Sequence, residues 1–339
     1  MKVAILSSIA WRTPPRQYGP WEQVASYLTE GLHEKGVDVT LFATKDSITK
    51  ARLDGTSDSP YAEDRYTDPK VAECLHISHL MEKAGQFDLI HNHFDFLPLT
   101  YSRLVKTPIV TTIHGFSSPK ILAVYQKYNA GNSYVSISNA DRHESLDYIA
   151  TVYNGIESAD FPFESKVSDY LLFWGRIHPD KGTYEAIQIA RQAGKTLILA
   201  GLIQDEVYFD QEVKPFIDDR SVFYMGNVGP DQRKTLLGKA LALLHPIRFE
   251  EPFGLSVAES MFCGTPVIAF NRGSMSELIQ DGKTGFLVYT VHEAVQAVTK
   301  IGQIQRQECR QWAQAMFSKE KMVNSYLDVY DQVLSRQSS

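Results

Sequence analysis

At 339 residues, with 43% hydrophobic and 22% charged side chains, the chain has the composition of a soluble globular protein. It is too long for one ordinary core, so two domains are expected. A net charge of −6 without any run of Lys or Arg argues against nucleic acid as a partner and against a polybasic membrane patch.

The first apolar run, in MKVAILSSIAW, is halted by Arg12 and two prolines and reads as a buried first strand rather than a signal segment. No stretch approaches the roughly 18 apolar residues of a membrane span. In the first half the expected strands are Val3–Ser7, Val37–Ala43, Leu89–His91, Ile109–Thr112, Tyr134–Ile137 and Thr151–Tyr153. Trp21, Val24, Ala25, Leu28 and Leu32 follow helical spacing between the first two, and Gly36 closes that helix. Residues 52–70 are polar and turn-rich and read as a surface loop. After SADFPFESKVSD (158–169) the rhythm restarts, with YLLFW, TLILA, VFYM, ALALL and PVIAF as buried strands. Alternating strands and helices imply an α/β fold of two Rossmann-like doubly wound domains. Their boundary is expected near residue 165, giving units 1–165 and 166–318, with a closing helix at about 319–334. Ligands bind beyond the carboxyl ends of such strands, so a cleft between the domains is the expected site.

Several strands end in residues that a connecting loop does not need. YLLFW leads into Gly175 and Arg176, with Lys181–Gly182 just beyond and a helix expected from about Thr183. Paired cations there suit a diphosphate, Arg as a fork and Lys as a point charge; judged by spacing alone, two solvated charges are the simpler reading. In EEPFGLSVAES (250–260), Gly254 allows close backbone approach. The N–H groups of Leu255 and Ser256 then stand at a helix start, an anion site. Glu251 and Glu259 flank it, and two carboxylates beside a phosphate make sense if they bind the hydroxyls of a sugar and a ribose. Glu250 is expected to face solvent.

Near the N-terminus the loop WRTPPRQYGPWEQ has Gly19 as its one glycine, which disfavours a dinucleotide oxidoreductase. Arg12 and Arg16 on that loop are candidates for an anionic acceptor, although exposed loop arginines are common. His114 closes a strand and could share or donate a proton, or be a hydrogen-bonded structural imidazole. His91 and His93 form an H-x-H pair without a third ligand, weak grounds for a metal, and no D-x-D pair occurs. Cys74, Cys263 and Cys309 show no metal-ligand spacing and cannot all pair, which fits a reducing, cytoplasmic setting.

Taken together, YGPWEQVASYLTEGL, TTIHGF, VYNGI, GRIHPDKG, EEPFGLSVAES and CGTPVIAFNRGSMSELIQDGKTGFLV resemble the retaining glycosyltransferases of family 4, which have the GT-B fold. The motifs run in the family's order over almost the whole chain, and the wording is most similar to the bacterial branch that includes the avilamycin-pathway glycosyltransferase. The resemblance implies that Glu251 contacts the donor sugar and Glu259 the ribose. Arg176 and Lys181 bind the diphosphate, helped by Gly254 and the N–H groups of Leu255 and Ser256. His114 lies near the donor sugar, Gly19 forms the loop over the donor, and Val228 meets the base. It further implies a donor-binding second domain, an acceptor-side first domain and a last helix returning to the first domain.

Transfer from a nucleotide diphosphate sugar, UDP- or GDP-linked, to a hydroxyl of a sugar or small-molecule acceptor is therefore the expected activity, without metal or other cofactor. Two departures stand out: Tyr18-Gly19-Pro20 where the family has two glycines, and Ser274 and Ser276 where a glycine and a proline are common. Proline brings no N–H to that loop. A GT-B-type nucleotide-sugar epimerase or a sugar phosphorylase is the alternative, and a non-catalytic sugar- or nucleotide-binding protein a further one.

Overall fold

The computed structural model describes residues 1–116 and 118–337. The chain divides into two units, one of residues 1–155 and 319–339, the other of residues 156–318. The first carries a seven-stranded sheet: β1 (Lys2–Leu6), β2 (Asp38–Phe42), β3 (Arg52–Asp54), β4 (Leu89–Asn92), β5 (Ile109–Ile113), β6 (Ser133–Ser136) and β7 (Tyr148–Thr151). Their order is β3-β2-β1-β4-β5-β6-β7. The second carries β8 (Tyr170–Trp174), β9 (Thr196–Ala200), β10 (Val222–Tyr224), β11 (Ala242–His245), β12 (Val267–Phe270) and β13 (Gly285–Val288), in the order β10-β9-β8-β11-β12-β13. Every pairing in both sheets is parallel. Each unit is thus a Rossmann-like sheet, the architecture expected of each half.

Parallel strands covered by helices on both faces are written as continuous apolar runs. YLLFW and TLILA are such runs, and they form β8 and β9 over the residues expected. Between β1 and β2 runs the helix Pro20–Glu34, begun by a proline in its first turn and followed by Gly36 at φ 82°. It buries Val24, Ala25, Leu28 and Leu32.

Three expectations need correction. The 52–70 segment is not all loop, because Arg52–Asp54 forms β3 at the sheet edge and Asp68 caps the helix Pro69–Glu82 through the N–H groups of Lys70 and Val71. β7 lies at Tyr148–Thr151 rather than 151–153, and β13 was not foreseen. The boundary falls at Gly155 and Ile156, not near 165. The reason is that residues 156–168 already belong to the second unit. The N–H of Ile156 donates to Phe317 O at 2.8 Å, Glu164 N–H to Cys263 O at 3.1 Å, Ser168 N–H to Lys239 O at 2.8 Å, and Phe161 is fully buried.

The last helix, Lys319–Gln337, belongs to the first unit. Met322, Val323, Tyr326, Val329, Tyr330 and Val333 recur at helical spacing and are buried. Gly31 and Gly155 leave room for it: a Cβ at Gly31 would strike Val323, and one at Gly155 would lie 2.8 Å from the Lys319 Cα. Lys319 Nζ also meets Glu34 Oε2 at 2.9 Å. No helix among the described residues is long and apolar enough to cross a membrane.

Candidate active site

In the second unit the strand order reverses between β8 and β11, whose outward connections run in opposite directions from that point. The carboxyl ends of those two strands are therefore where an α/β sheet opens a crevice. Arg176 follows β8 and Glu251 follows β11. The two connections are locked together: Arg248 N–H donates to Asp180 O at 2.7 Å, and a Cβ on Gly182, at φ 72°, would collide with Pro246 O. Only glycine fits there, and it starts the helix Thr183–Gln192 directly after Lys181.

That lock brings Lys181 Nζ to 2.5 Å from Glu251 Oε2. His245, the last residue of β11, has Nε2 3.5 Å from the same oxygen, too long and poorly aimed for a hydrogen bond. The Lys181 ammonium also lies 4.6 Å from the centroid of the Phe249 ring. Burial by itself would push the Glu251 carboxyl up, but Lys181 foremost, with His245, outweighs it and holds the group down at about 2. Burial drives His245 the other way, below the usual imidazole value.

Glu251 leads into the helix Leu255–Phe262, whose N-cap Gly254 stands at φ 89° with no side-chain cap. Val257 and Ala258 N–H groups turn back to Gly254 O, and among the described residues no protein acceptor is recorded for those of Leu255 and Ser256. They form the open end of the helix dipole. A second loop braces this one. Gly273, at φ 57°, approaches so closely that a Cβ would collide with the Glu251 backbone; Ser274 N–H donates to Glu251 O at 2.9 Å and Ser274 Oγ to Phe253 O at 2.8 Å. Ser274, one of the two departures, thus fixes the backbone on both sides of Pro252. Glu250 is exposed as expected, yet its Oε2 accepts the Gly273 N–H at 2.5 Å.

Glu259, one turn into the helix, is buried with Arg233 Nη1 3.6 Å away. Burial raises its carboxyl above the usual range, against Arg233 and a hydrogen bond from the Trp174 side chain. Arg233 lies against the rings of Phe161 and Trp174, at 5.1 and 6.0 Å. Arg176 is partly buried and its guanidinium contacts the Gln204 side-chain oxygen. Val228 is buried in the turn before the helix Pro230–Lys239.

The first unit holds the other candidates at the carboxyl end of its sheet. Gly19, at φ 150°, is hemmed in by Pro15 and Trp11 and by Glu22, whose Oε2 would lie 3.1 Å from an added Cβ. Glu22 is buried, accepts the Trp11 N–H at 3.3 Å, and burial raises its carboxyl to about 7. Arg12 Nε donates to Pro14 O at 3.0 Å, and Arg16 meets Asp46 at 3.0 Å and Glu63 at 2.6 Å. Arg16 therefore reaches carboxylates of its own unit. His114, just past β5, hydrogen-bonds through Nε2 to His93 Nδ1 at 2.9 Å and lies under Trp21, with ring centroids 5.6 Å apart. Burial lowers it to about 3, so it is neutral at ordinary pH. His91 has both ring nitrogens engaged, with Tyr330 OH at 2.6 Å and Thr112 Oγ1 at 2.7 Å. Among the described residues no group of three or more His, Cys, Asp or Glu side chains could hold a metal ion.

Glu22, Arg233 and His245 were not singled out in the sequence. Glu22 reads there as an ordinary first-turn acid, Arg233 as one charge in a polar helix, and His245 as a strand end.

Two family descriptions match this chain in tandem, Glycosyltransferase Family 4 over residues 21–159 and Glycosyl transferases group 1 over residues 157–318. The chain belongs to the GT-B glycosyltransferases of the family 4 type. It is 24% identical over 335 residues to a glycogen synthase of Mycobacterium tuberculosis, spanning 82% of this chain and 80% of that one. Among solved structures it resembles AviGT4, a glycosyltransferase involved in avilamycin A biosynthesis, at 22% identity and a TM-score of 0.73 over 98% of each chain. HepE from Anabaena, solved with UDP, gives 19% identity and a TM-score of 0.73 over 98% of this chain and all of that one.

Proposed function

We propose that this glycosyltransferase moves a sugar, with retention of configuration, from a UDP- or GDP-linked donor to a hydroxyl of a sugar or small-molecule acceptor. The observation that carries the reading is the cluster at the β8/β11 reversal: a buried Lys181–Glu251 pair beside an uncapped helix start. The Anabaena HepE structures, solved with UDP, with UDP and glucose and with UDP-glucose, support a nucleotide-sugar donor.

In this reading Arg176, Lys181 and the N–H groups of Leu255 and Ser256 hold the diphosphate and stabilise the charge that grows on it. The bond from the anomeric carbon to the leaving phosphate oxygen breaks. The acceptor oxygen bonds to that carbon on the same face, and its proton passes to the departing phosphate. Glu251, kept ionised by Lys181, accepts hydrogen bonds from the donor sugar's hydroxyls, and Glu259 from the ribose. Neither acts as a nucleophile. Val228 lines the base, Gly19 and His114 are assigned to the donor and Arg12 to the acceptor, while Arg16 is held by Asp46 and Glu63. The reading routes no charge through a metal, since the cations and the helix start meet the diphosphate. Free cysteines, Cys74 exposed and Cys263 and Cys309 buried, support a reducing, cytoplasmic setting.

The test is thermal stability with UDP, GDP, ADP and dTDP, with and without EDTA. A bound nucleotide at about 100 times its dissociation constant adds roughly 2.7 kcal/mol. A shift with UDP or GDP that survives EDTA supports the reading, and no shift with any nucleotide overturns it. Near-normal turnover of Glu251→Gln at saturating donor would remove Glu251 from its assigned role. Product formed without acceptor would point to an epimerase, and dependence on inorganic phosphate to a phosphorylase.

A further inference from the structure

In the first unit three histidines stand in a row at the ends of β4 and β5. His91 lies in β4 and His93 one residue past its end, and their ring centroids are 4.1 Å apart. His114 follows the neighbouring strand. His91 is fixed by Tyr330 and by Thr112, whose hydroxyl also meets Tyr326 OH at 2.7 Å. Trp21, with its ring only 19° from parallel, sets the plane of His114. What remains to be set is which nitrogen of His114 carries the proton.

One hydrogen bond, between His93 Nδ1 and His114 Nε2, ties that choice to His93. His93 is fully buried, and among the described residues its Nε2 has no partner. If His114 donated, His93 would keep its proton on Nε2, leaving an N–H buried without an acceptor. If His93 donates, its Nε2 is a bare lone pair. Buried donors left without partners are the rarer of the two defects. We propose that His93 is a positioning residue that donates from Nδ1 and thereby holds His114 as the Nδ1–H tautomer. His114 then offers a hydrogen-bond donor, not an acceptor, on its other nitrogen. A sugar hydroxyl oxygen is the matching group, a step that rests on the function proposed above; the tautomer itself does not.

Histidine-selective 15N labelling and long-range 1H–15N correlation at pH 7.5 decide the matter, with His114→Asn used to assign the signals. The expected wild-type spectrum has a protonated Nδ1 and an unprotonated Nε2 at His114; the reverse pattern overturns the proposal. His93→Asn, whose amide N–H falls near the place of the imidazole Nδ1–H, should keep that pattern. His93→Phe should return His114 to the Nε2–H form, and an unchanged His114 spectrum in this variant also overturns it. In turnover, His93→Phe should lose about 10-fold in kcat, the worth of one hydrogen bond. Its nucleotide-induced thermal shift should stay unchanged, and His93→Asn should recover most of the rate. If no transfer were found with any donor, the function would fall while the spectra still judged the tautomer.

Discussion

Lys181 Nζ and Glu251 Oε2 sit 2.5 Å apart with both side chains largely buried, at 15% and 10% exposure. Such a pair is costly to break from one side, because the surviving charge stays buried without a partner. Lys181→Met should lower stability by about 3 kcal/mol, and Lys181→Met combined with Glu251→Gln should cost clearly less than the sum. Urea unfolding of the two single variants and the double variant measures this coupling.

The same pair sets an acid limit. Glu251 is held at about 2 against an ordinary 4.5, so its contribution is complete above pH 4.5 and is lost as pH falls toward 2. The loss approaches about 3 kcal/mol. Thermal melts between pH 2.5 and 5 should therefore fall less steeply in Glu251→Gln than in the wild type.

Glu22 behaves in the opposite sense. Its carboxyl is raised from 4.5 to about 7 by burial, so the folded state favours the neutral form. The benefit is complete below pH 4.5 and is lost as pH rises through 7. Relative to the wild type, Glu22→Gln should gain on the order of 3 kcal/mol on going from pH 4.5 to pH 8. Comparing the two proteins' unfolding at those two values tests the sign.

Gly273 tests the brace behind Glu251. At φ 57°, with the Glu251 backbone against it, Gly273→Ala should destabilise by about 2 kcal/mol and lower kcat by displacing the Glu251 backbone. A Gly282→Ala control, also at positive φ (73°) but with open space around it, should show the backbone strain without the kinetic loss.

Glu259→Gln keeps the shape but weakens the acceptor. The ribose role predicts a nucleotide dissociation constant raised about 10-fold by calorimetry, with the Lys181–Glu251 coupling intact.

What the sequence made legible follows from burial. β8 and β9 are covered on both faces, so their residues had to be apolar in an unbroken run. β3 is Arg-Leu-Asp on a sheet edge, and all four residues of β7 are only partly buried, so neither left a hydrophobic signature. Lys181 and Glu251 stood out because they sit in the connections between a buried strand and the next helix, beside a glycine at the helix start, where packing gives no reason for a charge. Arg233, Glu22 and His245 gave no such contrast. Arg233 and Glu22 lie on helices that carry charges elsewhere, and His245 reads as the end of its strand; burial, which their neighbours impose, is what distinguishes them. The position of the unit boundary depended on backbone hydrogen bonds from residues 156–168, which no side-chain pattern announces.

The second unit is one uninterrupted stretch whose first and last residues are bonded to each other, Ile156 bridging Ser318, while the first unit is written in two pieces. During synthesis residues 156–318 leave the ribosome complete, whereas the first unit, its seven strands already made, lacks its closing helix until residues from Lys319 onward follow. Until Tyr326 and Tyr330 arrive, His91 and Thr112 lack the hydroxyls that satisfy them in the finished protein. The half that begins the chain is therefore the last to be finished.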